Sequence, residues 1–195
     1  MITEVKHIAI TPMYPEEDFL RKVENFFEGV KKALIIRLDE AFYTQDLVEQ
    51  IENLSKKSNS IVIYNSRNDI SSKKNIHLTS TDLMNYKDER ECNFLLGASC
   101  HNLNEIEKAN QLKCDYILIS PILKDKSGNK KIGWKKFEEL AKHFNGISFA
   151  LGGVKKKRLE CVYQSWRSRD FWNKLFFLEF ILFLNFRTRN LINFR

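Results

Sequence analysis

Small and hydroxyl-bearing residues follow three predicted strands in the second half of the chain. Gly97 and Ser99 close one strand, Ser120 follows the next, and Gly152 and Gly153 follow a third. Glycine lets backbone N–H groups approach an anion without a Cβ in the way, and a helix that begins after a strand presents its positive end to the same anion. The pattern predicts a phosphate-binding site. A tight turn explains a Gly-Gly pair equally well when the pair stands alone.

Two residues directly after Ser99 are candidates for acid–base or nucleophilic chemistry. His101 is the candidate catalytic residue, because imidazole titrates near neutral pH, and capping of the next turn is its competing role. Cys100 is expected to be a small buried apolar group, since the sequence shows no cation that would create a reactive thiolate. The four cysteines form no CxxC pair and have no histidine at zinc spacing, which predicts reduced thiols.

Alternating strands and helices must position these residues. Seven short apolar or β-branched runs are expected to be strands, at 7–11, 33–38, 60–64, 76–79, 94–99, 116–120 and 147–151. Five stretches with apolar residues three and four apart are expected to be helices, at 16–27, 44–54, 104–112, 134–144 and 156–163. Asn102 is the expected N-cap of the third. The alternation predicts an α/β fold, either a βα barrel one unit short or an open doubly wound sheet.

The composition limits the partners and the compartment. A net charge of +7, from 32 basic and 25 acidic residues, favours anionic ligands. The basic residues are scattered in pairs without interleaved aromatic residues, which predicts a phosphorylated small molecule as the partner and no nucleic acid. The first eleven residues lack the basic start and the apolar core of a signal peptide, and together with the thiols this predicts a cytoplasmic protein. Nothing in the sequence specifies an oligomeric state.

The character of the chain changes after Tyr163. Residues 164–195 contain no glycine or proline, and they include the apolar run Leu175 to Leu184 and a basic end. Ten residues interrupted by Glu179 are too few to cross a bilayer as a helix, so no membrane span is expected. We divide the chain into one barrel domain at 1–163 and an aberrant apolar and basic tail at 164–195.

The segment from Gly97 to Leu123, GASCHNLNEIEKANQLKCDYILISPIL, resembles the core of the thiamine-phosphate synthase and TenI family. The shared features are a strand ending Gly-x-Ser-x-His, a helix, and an Asp-Tyr strand ending Ser-Pro, followed by IGW at 132–134 and ALGGV at 150–154. The sequence of these motifs most resembles that of the TenI-like domain that often follows a Nudix hydrolase, although this chain has no Nudix box. With a weaker match from Ile8 onward, the resemblance covers about residues 5–163.

The resemblance implies a TIM-type (β/α)8 barrel whose last βα unit is missing or replaced in this chain. It also implies one of two activities of thiamine biosynthesis. A synthase joins a pyrimidine-methyl diphosphate to a thiazole phosphate, with Mg²⁺ offsetting the diphosphate charge, and a TenI-type tautomerase moves a proton on the thiazole. The tautomerase histidine corresponds to the Ser120-Pro121 pair, where this chain has no histidine.

Further ligand-binding residues follow from the resemblance. Asn65 keeps the first member of the family's Asn-Asp pair, and Ser66 replaces the second, a magnesium ligand. Asp82 is the one carboxylate kept for magnesium, and a place at the start of a helix is its competing role. Lys126 and Ser127 lie in the loop with which the family contacts phosphate.

Other positions depart from the family pattern. Synthases carry Gln-x-Arg-x-Lys at the end of the second strand, and we align Ile36, Leu38 and Glu40 with these residues. Strand alternation then predicts that Arg37 and Asp39 face away from the mouth of the barrel. The expected function is therefore a family member that binds a phosphorylated thiazole or pyrimidine, with weak or lost catalysis. A non-catalytic phosphate-binding or interaction module on the same barrel is the alternative.

The composition of the tail predicts a shift of the reading frame in the gene. Family chains end in a glycine-rich strand, often Gly-Gly-Gln-Gly-x-x-Gly-Ile, where this chain has Gln164 to Asn173. Tryptophan has the single codon TGG, so reading one base later places glycine after both Trp166 and Trp172. We expect that the reading frame shifts between about Glu160 and Ser165, and that the nucleotides across this segment spell Gly-Gly-Gln-Gly one base later. Early stop codons in that frame would leave a genuine apolar helix as the explanation.

Overall fold

The computed structural model describes residues 2–5, 7–70, 74–87, 94–123, 131–152 and 175–177. The strands are β1 (Ile8–Ile10), β2 (Ala33–Ile36), β3 (Ile61–Asn65), β4 (Ile76–Leu78), β5 (Leu96–Cys100), β6 (Tyr116–Ile119), β7 (Ile147–Ala150) and β8 (Leu175–Phe177). The α-helices are α1 (Phe19–Phe27), α2 (Gln45–Lys57), α3 (Ser80–Asn85), α4 (Leu103–Gln111) and α5 (Gly133–Ala141), and 3-10 turns cover Ile2–Glu4 and Glu40–Phe42.

The seven strands predicted from the sequence are all present, with ends that differ by about two residues at most. Four of the predicted helices correspond to α1, α2, α4 and α5, and the helix expected at 156–163 lies outside the described residues. Helix α3 was not predicted, because six residues are too short to show a helical period. Asn102 is the N-cap of α4, as expected, and its side chain accepts a hydrogen bond from the backbone N–H of Glu105.

The described strands form one parallel sheet in the order in which they occur along the chain. Each of the ladders from β1–β2 to β7–β8 is parallel. A doubly wound sheet reverses its strand order at a switch point, whereas a βα barrel places each strand beside the one before it. The observed order is that of a barrel.

An inner cluster of apolar side chains shows that the sheet curls. Ile8 and Ile35, from the first two strands, belong to the same buried cluster as Tyr116, Leu118 and Phe149, from β6 and β7. These strands are not neighbours in the sheet, so their side chains meet only because the sheet wraps around a common interior.

The opposite face of the sheet is equally apolar and is covered by the helices. Helices α1 and α2 pack on one half of the sheet and α3, α4 and α5 on the other. Burial on both faces explains why the strands read as continuous apolar runs without a polar alternation. Cys100 belongs to this outer layer, and burial raises the pKa of its thiol, in agreement with its expected role as an apolar group.

The predicted fold, a (β/α)8-type barrel whose last unit is missing or replaced, is confirmed. The backbone of β8 takes the eighth place in the sheet, beside β7, and within the described ranges no ladder joins β8 to β1. The division of the chain at residue 163 stays a prediction. No helix in the described ranges has the length and apolarity that a membrane span needs.

Candidate functional site

One layer of aligned residues crosses the barrel interior, from the last residue of β3 to the first residue of β6. Across four adjacent strands, Asn65 is paired with His77, His77 with Gly97, and Gly97 with Tyr116. Their side chains point to the interior because the alternate residues, such as Leu96 and Ala98, belong to the outer cluster. This layer forms the floor of a mouth where barrel enzymes place their active sites.

His77 is the central polar group of this layer. It is fully buried, its ring stacks on Tyr116 with a centroid distance of 5.6 Å, and its Nδ1 lies 3.1 Å from the Tyr116 hydroxyl. Its Nε2 lies 2.9 Å from Ser99 Oγ. Burial, and secondly the positive charge of Arg37, lower the pKa of His77 to about 3. His77 is therefore neutral at physiological pH. Its hydrogen bond to Ser99 Oγ holds that hydroxyl at the floor of the mouth.

Gly97 makes room for the Tyr116 ring. A Cβ at this position would overlap ring carbons Cε1 and Cζ of Tyr116. Tyr116 is completely buried and contacts the edge of Phe149 on its other side, so the ring has no free space to move into. In this structure the glycine of the Gly-x-Ser pattern therefore serves packing, and Ser99 is the member that reaches the mouth.

Arg37 corrects the prediction made for the second strand. Ile36 and Leu38 are buried against α1 and α2 in the outer layer, whereas Ile35 belongs to the inner cluster. Arg37 follows Ile35 at the same parity, and its charge lowers the pKa of the buried His77. The prediction that Arg37 faces away from the mouth is wrong. The alignment that placed Ile36 and Leu38 in the mouth was displaced by one residue.

The guanidinium of Arg37 is a partly desolvated positive charge. Its backbone N–H is held by Thr11 Oγ1 at 2.8 Å, which fixes the start of the side chain. Burial first, and repulsion by Arg67 second, lower its pKa. Within the described ranges no carboxylate pairs with Arg37, and its buried Nε has no hydrogen-bond partner. A partly buried cation without an anion carries a desolvation cost that a bound anion would offset.

Asn65 and Ser66 follow β3 at the mouth. Asn65 is buried, and its Oδ1 accepts the backbone N–H of Arg67 at 3.1 Å, which shapes the loop that follows. Ser66 Oγ accepts the backbone N–H of Thr79 at 2.9 Å and donates to Asp82. The loops after β3 and β4 are thus joined by side chains at the place where the family pattern has its two carboxylates.

Asp82 has the role of a helix-start residue. Thr79 is the N-cap of α3, its Oγ1 accepts the Asp82 N–H, and the same hydroxyl donates to Asp82 Oδ2 at 2.6 Å. Magnesium prefers six oxygen ligands in a near-octahedral arrangement. One oxygen of Asp82 is already shared by two hydroxyl donors, and no cluster of three His, Cys, Asp or Glu side chains occurs among the described residues. The described residues alone do not fit a resident magnesium ion.

His101 is exposed at the rim, between the ends of β5 and β6. Its backbone N–H is bound by Glu105, the first-turn acid of α4, and its Nδ1 lies 2.7 Å from the Ser120 carbonyl oxygen. A carbonyl only accepts, so Nδ1 carries the proton and Nε2 is the ring nitrogen open to solvent. The structure shows His101 in a bridging role between two strand ends, and its predicted catalytic role stays a prediction.

The remaining predicted residues lie at the same edge or outside the described ranges. Ser120 directly follows β6, and Gly152 lies two residues beyond the end of β7 with a φ of 104°, a conformation that favours glycine. The Gly152 carbonyl accepts the backbone N–H of Leu123 at 2.8 Å, so the loops after β6 and β7 run side by side. The structure brings Ser99, Ser120 and Gly152 to one edge, and Lys126, Ser127 and Gly153 lie outside the described residues.

Two residues of the site were missed from the sequence, His77 and the inward-facing Arg37. His77 stands in the run IHL, which reads as an ordinary apolar strand. A signal was nevertheless present. Ile76 and Leu78 are apolar and suit the outer face that the helices cover, so the ionisable residue between them must face the interior. Arg37 could have been found in the same way, because Ile36 and Leu38 are the better matches to an outer, helix-covered face.

Comparisons with known proteins agree with this geometry. A family model described as thiamine monophosphate synthase matches residues 7–166. A thiamine-phosphate synthase of Prochlorococcus marinus subsp. pastoris is 34% identical over 158 residues, which make up 76% of this chain and 45% of that protein. A putative thiamine-phosphate synthase 2 of Aquifex aeolicus is 27% identical over 170 residues, which cover 78% of this chain and 90% of that protein. The chain thus spans less than half of the Prochlorococcus relative.

Solved structures show the same fold. Thiamine phosphate pyrophosphorylase from Pyrococcus furiosus superposes with a TM-score of 0.64 at 16% identity, over 90% of this chain and 85% of that one. The corresponding protein from Bacteroides thetaiotaomicron gives a TM-score of 0.56 at 18% identity, over 89% and 81%. Because the family model covers most of the sequence and the barrel is the family's fold, the chain belongs to the thiamine monophosphate synthase family of thiamine biosynthesis.

Proposed function

We propose that the mouth of this barrel binds the phosphate group of a phosphorylated thiazole or pyrimidine, and that catalysis of thiamine phosphate formation is weak or lost. The observation that carries the proposal is Arg37. It extends from the inner face of the sheet, and its partly buried guanidinium has no carboxylate partner among the described residues. A phosphate oxygen would supply the missing anion and accept charge-assisted hydrogen bonds.

Other groups at the same edge suit a phosphate. Ser99 offers a hydroxyl between the floor of the mouth and solvent, and Ser120 lies on the next strand end. Arg67, after β3, adds a second positive charge close enough to influence Arg37. The thiamine-phosphate synthases among the relatives give the ligand class, and the charges of this chain give the group that is recognised.

Weak or lost catalysis follows from the poor magnesium site. One phosphate group carries enough negative charge to neutralise Arg37. A diphosphate brings more charge, and the family neutralises that charge with magnesium. Here Ser66 stands in place of one carboxylate, and Asp82 is hydrogen-bonded within the start of α3. A monophosphate that binds without metal therefore fits the described residues better than a diphosphate does.

The proposal is tested by calorimetric titration of the purified chain with thiazole phosphate, with and without Mg²⁺. Arg37→Met should weaken binding about 10- to 100-fold, because a hydrogen bond to a charged group contributes about 1.5–3 kcal/mol. It should not lower the midpoint of thermal unfolding, since it removes an unpaired desolvated charge. Arg21→Met, on the exposed face of α1, is the matched control and should change affinity less than twofold.

Three outcomes would contradict parts of the proposal. Equal affinities of the Arg37→Met and Arg21→Met variants would remove Arg37 from the site. A wild-type chain that binds neither thiazole phosphate nor inorganic phosphate would exclude phosphate recognition in this mouth. Formation of thiamine phosphate from both substrates and Mg²⁺, at the rate of an ordinary synthase, would show that catalysis is intact.

A further inference from the structure

We infer that His77 is a positioning residue: its ring carries the proton on Nε2, accepts a hydrogen bond from the Tyr116 hydroxyl at Nδ1, and thereby directs the Ser99 hydroxyl hydrogen into the mouth as a donor. The inference rests on the proposed phosphate site, because the group that accepts from Ser99 would be a phosphate oxygen. It assigns the buried histidine a role in deciding which kind of ligand atom Ser99 can bind.

The first step is a count of protons. His77 is fully buried, and its lowered pKa keeps the ring neutral, so it has one N–H for two neighbours. Those neighbours are Tyr116 Oη, 3.1 Å from Nδ1, and Ser99 Oγ, 2.9 Å from Nε2. Burial also raises the pKa of Tyr116, so its hydroxyl keeps its proton. Three hydrogens must therefore be arranged along two hydrogen bonds.

Two arrangements satisfy both hydrogen bonds. In the outward arrangement, Tyr116 donates to Nδ1, Nε2–H donates to Ser99 Oγ, and the Ser99 hydrogen is left over. In the inward arrangement, Ser99 donates to Nε2, Nδ1–H donates to Tyr116, and the hydrogen left over belongs to Tyr116. The two arrangements use the same bonds and differ only in where the unused donor lies.

The surroundings decide between them. Tyr116 lies in the inner apolar cluster, between Gly97 and the edge of the Phe149 ring. Within the described ranges His77 is the only hydrogen-bond partner of its hydroxyl. In the inward arrangement the Tyr116 hydrogen would be buried without an acceptor, which disfavours that arrangement roughly tenfold or more. Ser99 is only half-buried, so water or a ligand can accept its hydrogen in the outward arrangement.

The packing prevents the ring from escaping this choice. His77 is stacked on Tyr116 with an interplanar angle of 21°, and strand neighbours Asn65 and Gly97 flank it. A flip of the imidazole would exchange Nδ1 and Nε2 for carbon atoms and break both hydrogen bonds. Ser99 is therefore presented as a donor before any ligand arrives, which favours an oxyanion over a ligand that offers an N–H.

Nitrogen-15 NMR of the histidine-labelled chain at pH 7 tests the first half of the inference. The His77 resonances should show a protonated Nε2 and an unprotonated Nδ1. A Nδ1–H tautomer, or a doubly protonated ring, overturns the inference. The measurement uses the unliganded protein, so it does not depend on phosphate binding.

Titration with inorganic phosphate tests the second half. Tyr116→Phe removes the donor that fixes the tautomer and should weaken phosphate binding about three- to tenfold, whereas the same substitution on a Ser99→Ala background should add less than twofold. Tyr64→Phe is the matched control, because it removes a hydroxyl bound to Glu52 on the outer face and should leave the affinity unchanged. An unchanged affinity of Tyr116→Phe, or an equal effect of Tyr64→Phe, overturns the positioning role.

The failures of the two proposals can be distinguished. If the wild type does not bind phosphate or thiazole phosphate, the proposed function fails and the role of His77 in ligand binding fails with it, whatever the tautomer is. If phosphate binds and depends on Arg37, but His77 carries its proton on Nδ1, the proposed function stands and the inference about His77 alone is wrong.

Discussion

Replacing Gly97 by alanine is expected to destabilise the fold by about 3 kcal/mol or more, the upper part of the range for overpacked cores. The added Cβ would overlap the Tyr116 ring, which is completely buried between His77 and Phe149. Moving the ring would displace the floor of the mouth as well. Urea unfolding followed by far-ultraviolet circular dichroism measures the loss, read as the free energy of unfolding extrapolated to water.

Gly29→Ala is the matched control for this variant. Gly29 has a φ of 83° and no atom within 4 Å of an added Cβ, so it isolates the cost of the left-handed backbone, about 1 kcal/mol. The Gly97→Ala variant should also be partly rescued by Tyr116→Leu, which shortens the overlapping side chain. A loss at Gly97 no greater than that at Gly29, or an additive double variant, would contradict the packing role of Gly97.

Acid should destabilise this barrel through His77 by about 3 kcal/mol between pH 7.5 and 4.5. Burial lowers the folded-state pKa of His77 to about 3 from an ordinary value of 6.5. As the pH falls below 6.5, the unfolded chain binds a proton and the folded chain does not, so the equilibrium shifts towards the unfolded state until the pH approaches 3. Two pH units below the ordinary pKa correspond to about 2.7 kcal/mol.

The comparison of variants removes the contribution of the carboxylates. The free energy of unfolding is measured at pH 7.5 and 4.5 for the wild type and for His77→Gln. The loss of stability between the two pH values should be smaller in His77→Gln than in the wild type by about 2.7 kcal/mol, whatever the stability of the variant at pH 7.5. Equal losses in the two proteins would mean that His77 becomes protonated in the folded protein.

The seven strands were predictable because each is a short apolar run between polar segments, and the helices because α1, α2, α4 and α5 each place an apolar stripe on the sheet. The face of each strand residue was not predictable in the same way. A strand that is buried on both sides has no polar alternation, so the inner and outer residues look alike. Arg37 was assigned to the wrong face because the family motif was aligned one residue out of register, which placed Ile36 and Leu38 in the mouth.

The candidate site was predicted in part for a similar reason. Ser99, Ser120 and Gly152 follow strands, and position along the chain is enough to place them at one edge. The role of His77 depends on Tyr116, which is 39 residues away, and on the space left by Gly97. No local pattern records such a contact. The place of Asp82 at the start of α3, which was its competing role, could be recognised from the local pattern Thr79-x-x-Asp82, and its magnesium role stays a prediction.

The order of the strands bears on how the protein forms during synthesis. Each strand pairs with the strand before it, so the sheet can grow from the amino terminus as the chain leaves the ribosome. The segment that supplies β8 emerges after the other described strands, when β7 is an open edge of the sheet. A defect confined to residues after about 163 would therefore act on a nascent barrel with seven strands already available for pairing. Its effect would be an unprotected strand edge that invites association between copies, and a drop in yield at high expression rather than a failure to fold.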